Sequence, residues 1–351
     1  MRRTSLFRKF TLAIVPLLAA IGGLLVITVR NDLDQVAAAN TDADLGNVWG
    51  QLVDTVHVLA AEQRVAIDGI AGRIPLDTVN SPDTDALDDA TAVSDAALAT
   101  LVAELDEHPQ FANISIDQAG TALGYARQLS RQWAQDNSVA AIAPNSPFRQ
   151  YSVAFSELAT ISSLLQSATG NPETARSLLG VAQLNDANVA GALFAGAAAQ
   201  FELNPTSTSA LIDAQAALDS ANAAFTQFEA SATPTWAARF RQTGAHAQYA
   251  GPRGNVASAL NGNPDAFDAP VDIARVAAAE EATVALQHEL VDEVVTWAND
   301  EAAATTTASR FRLAVIGAAT LIAIALAFLV TRSITRRVRA VAQSANAVAN
   351  E

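Results

Sequence analysis

The chain has 351 residues, of which 50% are hydrophobic and only 6% aromatic, and a formal net charge of −15. It has no cysteine, which excludes a disulfide framework, a thiolate metal site and a cysteine nucleophile. The acidic balance disfavours nucleic acid as a partner.

Two uncharged apolar runs, Phe10 to Val29 and Leu313 to Thr331, frame the sequence. Each is long enough to cross ~30 Å of hydrocarbon as a helix. Arg2, Arg3, Arg8 and Lys9 precede the first run, as in a signal peptide. The run is longer than the usual ~7–15 residue apolar region, however, and no small-residue cleavage site follows it directly. It therefore reads as an uncleaved anchor. Arg332, Arg336, Arg337 and Arg339 follow the second run. Basic flanks stay in the cytoplasm. The expected topology is a two-pass protein of the bacterial cell membrane, with residues 1–9 and 332–351 inside and 30–312 outside. The outer segment carries 13 arginines against 35 acids, so the average charge conceals two oppositely charged parts.

Within the outer segment Leu45, Val48, Leu52, Val56, Leu59, Gln63, Ile67 and Ile70 step by three or four, the period of one buried helix face. Gln63 interrupts the stripe and Arg64 sits beside it. The helix should end near Gly72. Residues 75–85 are rich in Asp, Pro, Ser and Thr and read as a loop. Helices are expected over 86–108, 116–135 and 148–168, with a break at Ala143–Pro147 that could separate sub-bundles 30–143 and 148–312. Asn171-Pro172 reads as a cap with proline in the first turn of a helix to about Leu203. Its Ala/Gly-rich middle lets neighbours approach closely. Asn204-Pro205 should open the next helix, which ends near Glu229. Residues 249–270 hold Pro252, Pro264 and Pro270 and read as an irregular loop. From Val271 to Glu351 there is no proline and one glycine, Gly317, which predicts a nearly continuous helix. No alternating strand pattern appears. The expected fold is all-α, one or two antiparallel four-helix bundles between two transmembrane helices.

Behind the second apolar run Ile334, Val338, Val341, Ala345 and Val348 step 4, 3, 4, 3. That is the seam of a parallel dimeric coiled coil and predicts a homodimer with these residues as the signal relay.

No catalytic constellation, phosphate loop or histidine pair with metal spacing is present, so no cofactor is expected and the chain reads as a binding and relay module rather than an enzyme. Asp83, Asp85, Asp88 and Asp89 lack the glycine and closing glutamate of a calcium loop. His57 and His288 could face each other if the first and last outer helices pack together. Buried charge requires a counter-charge. In so acidic a segment, arginines on otherwise apolar helices are therefore the candidates for a small anion: Arg64, Arg127, Arg131 and Arg176. The planar guanidinium suits carboxylate or nitrate. The alternative is that each is solvated or paired with a nearby acid.

The layout of basic N-terminus, membrane helix, helical outer domain, membrane helix and Arg332-Ser-Ile-Thr-Arg-Arg-Val-Arg resembles bacterial sensor histidine kinases and chemoreceptors. The last segment looks like the first helix of a HAMP domain, with Arg337 where that family has proline. The resemblance implies a connector, a second HAMP helix and an output module, such as a kinase, beyond Glu351. The outer domain resembles nitrate- and nitrite-sensing (NIT) domains. The likeness rests on Val58-Leu-Ala-Ala-Glu-Gln-Arg and on Leu184 to Trp236, with its Ala/Gly-rich helix and Ala230-Ser-Ala-Thr-Pro. It implies two four-helix bundles that hold an anion through arginines. Arg64 falls on the family's first-helix Glu-Arg motif with Gln63 in place of the glutamate, and Arg127 is a second match. Ala190-Gly-Ala-Leu stands where the family has another Glu-Arg pair. The implied function is a transmembrane receptor for an outside stimulus, such as nitrate or nitrite. The alternatives are a methyl-accepting chemoreceptor and a membrane-anchored interaction protein without a small ligand.

Overall fold

The structure is a computed structural model that describes the backbone of residues 4–74, 86–111, 113–136, 146–168 and 172–348, and most side chains between 23 and 336. All regular structure among the described residues is helical: α1 (Thr4–Ile70), α2 (Ala86–Glu107), α3 (Asp117–Asp136), α4 (Pro147–Ser167), α5 (Pro172–Leu203), α6 (Thr208–Ser231), α7 (Pro234–Thr243), α8 (Ala245–Leu260) and α9 (Ala269–Val348), with short 3-10 turns at Pro109–Phe111 and Pro264–Ala266. The chain divides into two compact units, Thr41–Ala298 and the combined ends Met1–Asn40 and Asn299–Glu351.

In the larger unit, the eight stripe positions from Leu45 to Ile70 are all buried, Gln63 included. α1 stops at Ile70, and Gly72 adopts the left-handed conformation that a side chain would resist. α4 begins where the Ser146 hydroxyl accepts from the Arg149 amide and Pro147 occupies the first turn. It buries Phe148, Tyr151, Phe155, Leu158, Ile161 and Leu165 along one face. Pro172 is in the first turn of α5, as expected; Asn171 lies outside the described residues, as do the loop 75–85 and most of the 143–147 break.

Two expectations are corrected. Asn204-Pro205 does not open α6; it forms a turn, and Ser207 caps the helix by accepting from the Ala210 amide. Residues 249–270 are not a loop throughout. α8 continues to Leu260 with Pro252 inside it, held by the buried face of Tyr249, Pro252, Val256 and Ala259. Burial along that face outweighs the one backbone hydrogen bond that proline cannot donate.

Three helices form the centre. α1 and α5 run parallel: the Thr174 hydroxyl donates to Asp42 at 3.2 Å, and Gln63 lies against Gly196. α9 runs antiparallel to both. Gly46 and Gly50 of α1 meet Val295 and Val291, and Asn188 of α5 donates to Gln287 at 2.8 Å. Glycines at these crossings remove the side chain that would hold the backbones apart. α4 packs on α3 and α5, and α6 on α5 and α8.

In the smaller unit Asp32 and Arg312 form an ion pair at 2.7 Å. Among the described residues one helix, Ala269–Val330, is long and apolar enough to cross a membrane. Phe311, Leu321, Ile322, Ile324, Leu326, Phe328 and Leu329 are exposed along it. The run Phe10 to Val29 falls within α1, but most of its side chains lie outside the described residues. The same holds for Ile334, Val338, Val341, Ala345 and Val348, whose backbone continues α9.

Candidate sensing site

Glu62, Gln63 and Arg64 are consecutive on α1. An α-helix turns about 100° per residue, so their side chains leave in three directions. All three enter packed protein, which puts this tripeptide where the helices of the larger unit converge.

Glu62 is wholly buried. Arg127 of α3 grips it with two bonds, Nε to Oε1 at 2.9 Å and Nη2 to Oε2 at 2.8 Å. The Tyr151 hydroxyl of α4 donates to Oε1 at 2.7 Å, and the Ser94 hydroxyl of α2 donates to Oε2. Arg127 also donates to Asp95 at 2.8 Å and to the Ser94 oxygen at 2.9 Å. One carboxylate thus ties four helices together. Burial opposes the Arg127 charge, but the hydrogen bonds and charge of Glu62 and Asp95 outweigh it and push its pKa up. Burial and then the Glu62 charge push the Tyr151 hydroxyl well above the usual tyrosine range, so it remains a donor.

Arg64 turns the other way and pairs with Glu280 of α9. Glu280 is 2% exposed, and burial pushes its carboxyl pKa up against the pull of Arg64. Its Oε1 and the Tyr249 hydroxyl both stand over Gly191 of α5, inside 3 Å of where a Cβ would be. Gly191 lies within Ala190-Gly-Ala-Leu, where the resemblance expects a Glu-Arg pair. A side chain at Gly191 would displace the Glu280 carboxyl and the Tyr249 hydroxyl. On its outer side Arg64, with a side chain 20% exposed, lines a groove of about 460 Å³ between α1 and α9. Ala61, Ile67, Asp68, Ile273 and Glu281 also line it. Arg73 stands at one end, held by Asp68 at 2.7 Å and by Glu202.

Gln63 lies between these two ion pairs, against Gly196 and Phe148, and neither amide atom has a protein hydrogen-bond partner. Asn185 on α5 is likewise fully buried with an unpartnered amide.

The structure thus brings Gln63, Arg64 and Arg127 to one region. Arg131 pairs with Asp88 at the surface of α2 and α3. Arg176 is exposed near the start of α5, roughly 22 Å along the helix from Gly191 at 1.5 Å per residue. It does not belong to the site. Glu280, Tyr249, Ser94 and Gly191 were not singled out by sequence. The available signal was a step of 3, 4, 3, 4 through Ile273, Val276, Glu280, Thr283 and Gln287, all buried. Polar members of an apolar stripe mark internal pairs, as Thr283 to Asn188 at 2.6 Å and Gln287 to the Val181 carbonyl at 3.2 Å also show.

Beside the groove His288 Nε2 lies 3.0 Å from Asp54. His57 is close enough for Arg64, His288, Glu281 and Asp54 to act on its charge.

No protein-family model matches the chain, and no curated protein matches it. Among solved structures it is similar to the NasR transcription antiterminator, at 17% identity and a TM-score of 0.59 over 77% of this chain and 73% of that one. At that identity the likeness establishes a shared helical fold.

Proposed function

We propose that this chain is the sensing and membrane portion of a dimeric bacterial receptor, in which a small oxyanion reaching Arg64 through the α1–α9 groove is the stimulus. The observation that carries this reading is α9 itself. One unbroken helix holds both Glu280, the internal partner of Arg64, and the apolar run from Leu313 to Thr331. A ligand that competes with Glu280 for the guanidinium changes the contact between α9 and α1. Such a change signals only if the two packings are close in energy and the ligand favours one of them.

The rest of the reading extends the sequence argument. Both apolar runs cross the membrane, the acidic unit lies outside and both termini lie in the cytoplasm. Ile334, Val338, Val341, Ala345 and Val348 pair with a second copy at the start of a HAMP-like coiled coil, which drives a kinase output module. The likeness to NIT domains supports an oxyanion as the ligand class, and the shared fold with an antiterminator is consistent with a regulatory role.

The test is a thermal-shift titration of the full chain in detergent with nitrate, nitrite and formate. One of them should raise the melting temperature with the logarithm of its concentration, by an amount equivalent to about 2.7 kcal/mol at 100 times Kd. Arg64→Ala should abolish the response. No response to any anion would favour a membrane-anchored interaction protein, a reading that the internal pairing of Arg127 and Arg64 supports.

A further inference from the structure

We infer that an anion binds at Arg64 only together with a proton taken up by Glu280, so that the groove accepts its ligand with the stoichiometry of a neutral acid. The inference rests on the reading of Arg64 as the anion site.

The geometry leaves little alternative. Arg64 carries one positive charge, and Glu280 already engages it. Among the described residues, the groups facing Glu280 supply no second cation. From α1 there is Arg64, from α8 the Tyr249 hydroxyl, from α5 Gly191 with no side chain, and on α9 itself Glu281, another acid. Around Arg64 the further titratable groups are Glu281 and Asp68 in the groove and His57 one side over. Burial and the charge of Arg64 push the His57 pKa down, away from the cationic form. Arg73 is held by Asp68 and Glu202.

An incoming anion would therefore place two negative charges on one guanidinium, leaving a net negative charge inside protein. An uncompensated buried charge costs several kcal/mol. Glu280 cannot relieve this by swinging into water, because it is buried with its Oε1 over Gly191. Protonation relieves it in place. The carboxyl becomes neutral and its protonated oxygen turns from acceptor into donor. The guanidinium fork is then free for the ligand. Burial already pushes the Glu280 pKa up, in the direction that favours this exchange. The step balances as one anion and one proton entering, with the proton on a Glu280 oxygen and no electrons transferred.

The experiment is isothermal titration calorimetry of the full chain in detergent, with formate and nitrate as separate probes, in buffers of different ionisation enthalpy. The wild type should take up about one proton per anion, and its affinity should fall about tenfold per pH unit once Glu280 is ionised in the free protein. Glu280→Gln should bind with no proton uptake, no dependence on pH over that range, and more tightly at pH 7. Glu281→Gln should retain the uptake. Binding by the wild type without proton uptake, or uptake that persists in Glu280→Gln, would overturn the coupling while leaving the Arg64 site in place. Failure of both the wild type and Glu280→Gln to bind either anion would overturn the coupling and the site together.

Discussion

Glu62 and Arg127 illustrate how a buried charge becomes structural. Both oxygens of Glu62 are used, by Arg127, Tyr151 and Ser94. Replacing Arg127 by alanine should destabilise the larger unit by about 3–5 kcal/mol, because it strands a carboxylate in the core. Chemical denaturation checks this, and Glu62→Gln in the same chain should recover much of the loss. Gly191→Ala should cost about 1–3 kcal/mol, since its methyl group meets Glu280 and Tyr249. The cost should shrink when Glu280→Ala is added, and a double-mutant cycle measures that coupling. The two histidines beside the groove act in opposite senses. The Asp54 hydrogen bond raises the His288 pKa, so its stabilisation is present below the ordinary value of 6.5 and lost as pH rises through the folded value. Burial lowers the His57 pKa, so its stabilisation is present above 6.5 and lost on acidification. Relative to wild type, His288→Gln should lose melting temperature as pH falls from 7.5 to 5.5, whereas His57→Gln should gain. At this scale the sequence marked the arginines, since a cation is conspicuous among the 35 acids of residues 30–312. Their partners are less conspicuous: Glu280 is one of many acids, set apart from Glu281 by its place in the buried stripe from Ile273 to Gln287, and the antiparallel register of α1 and α9 brings it to Arg64.

Elements were most legible where a long apolar face runs without proline. The α1 stripe from Leu45 to Ile70 is buried at every step, and the proline-free stretch from Val271 is one helix. Prolines and caps were legible less often. Pro172 marks a first turn as expected, but Pro252 sits inside α8, where burial of Tyr249 and Val256 decides the backbone. Asn204-Pro205 carried the cap signal that Ser207 delivers three residues later. The glycines separate crossing points from open surface. Gly46→Leu should wedge α1 from Val295 and lower stability by about 1–3 kcal/mol. Gly124 on α3 has open space around its Cβ position. Gly124→Ala should therefore raise stability by about 0.5–1 kcal/mol through helix propensity alone. Thermal unfolding of both variants checks the contrast.

At the scale of the whole molecule, length and charge led to an expected division at residues 30 and 312 into an acidic helical body and apolar ends, whereas the compact units of the structure are Thr41–Ala298 and the two ends Met1–Asn40 and Asn299–Glu351. Function was less legible, because the proposed role rests on a change in packing, which no single residue pattern encodes. The central claim is that occupancy of the Arg64 groove moves α9 against α1. The chain has no cysteine, so spin labels can be placed cleanly at Asn47→Cys on α1 and Thr296→Cys on α9, both at exposed positions. Pulsed electron paramagnetic resonance on the full chain would then read the distance between the helices with and without saturating anion. The account predicts a displacement of the mean on the order of 1–2 Å that disappears in Arg64→Ala. A distance distribution unchanged at an anion concentration about 100 times the Kd drawn from the thermal shift would contradict it.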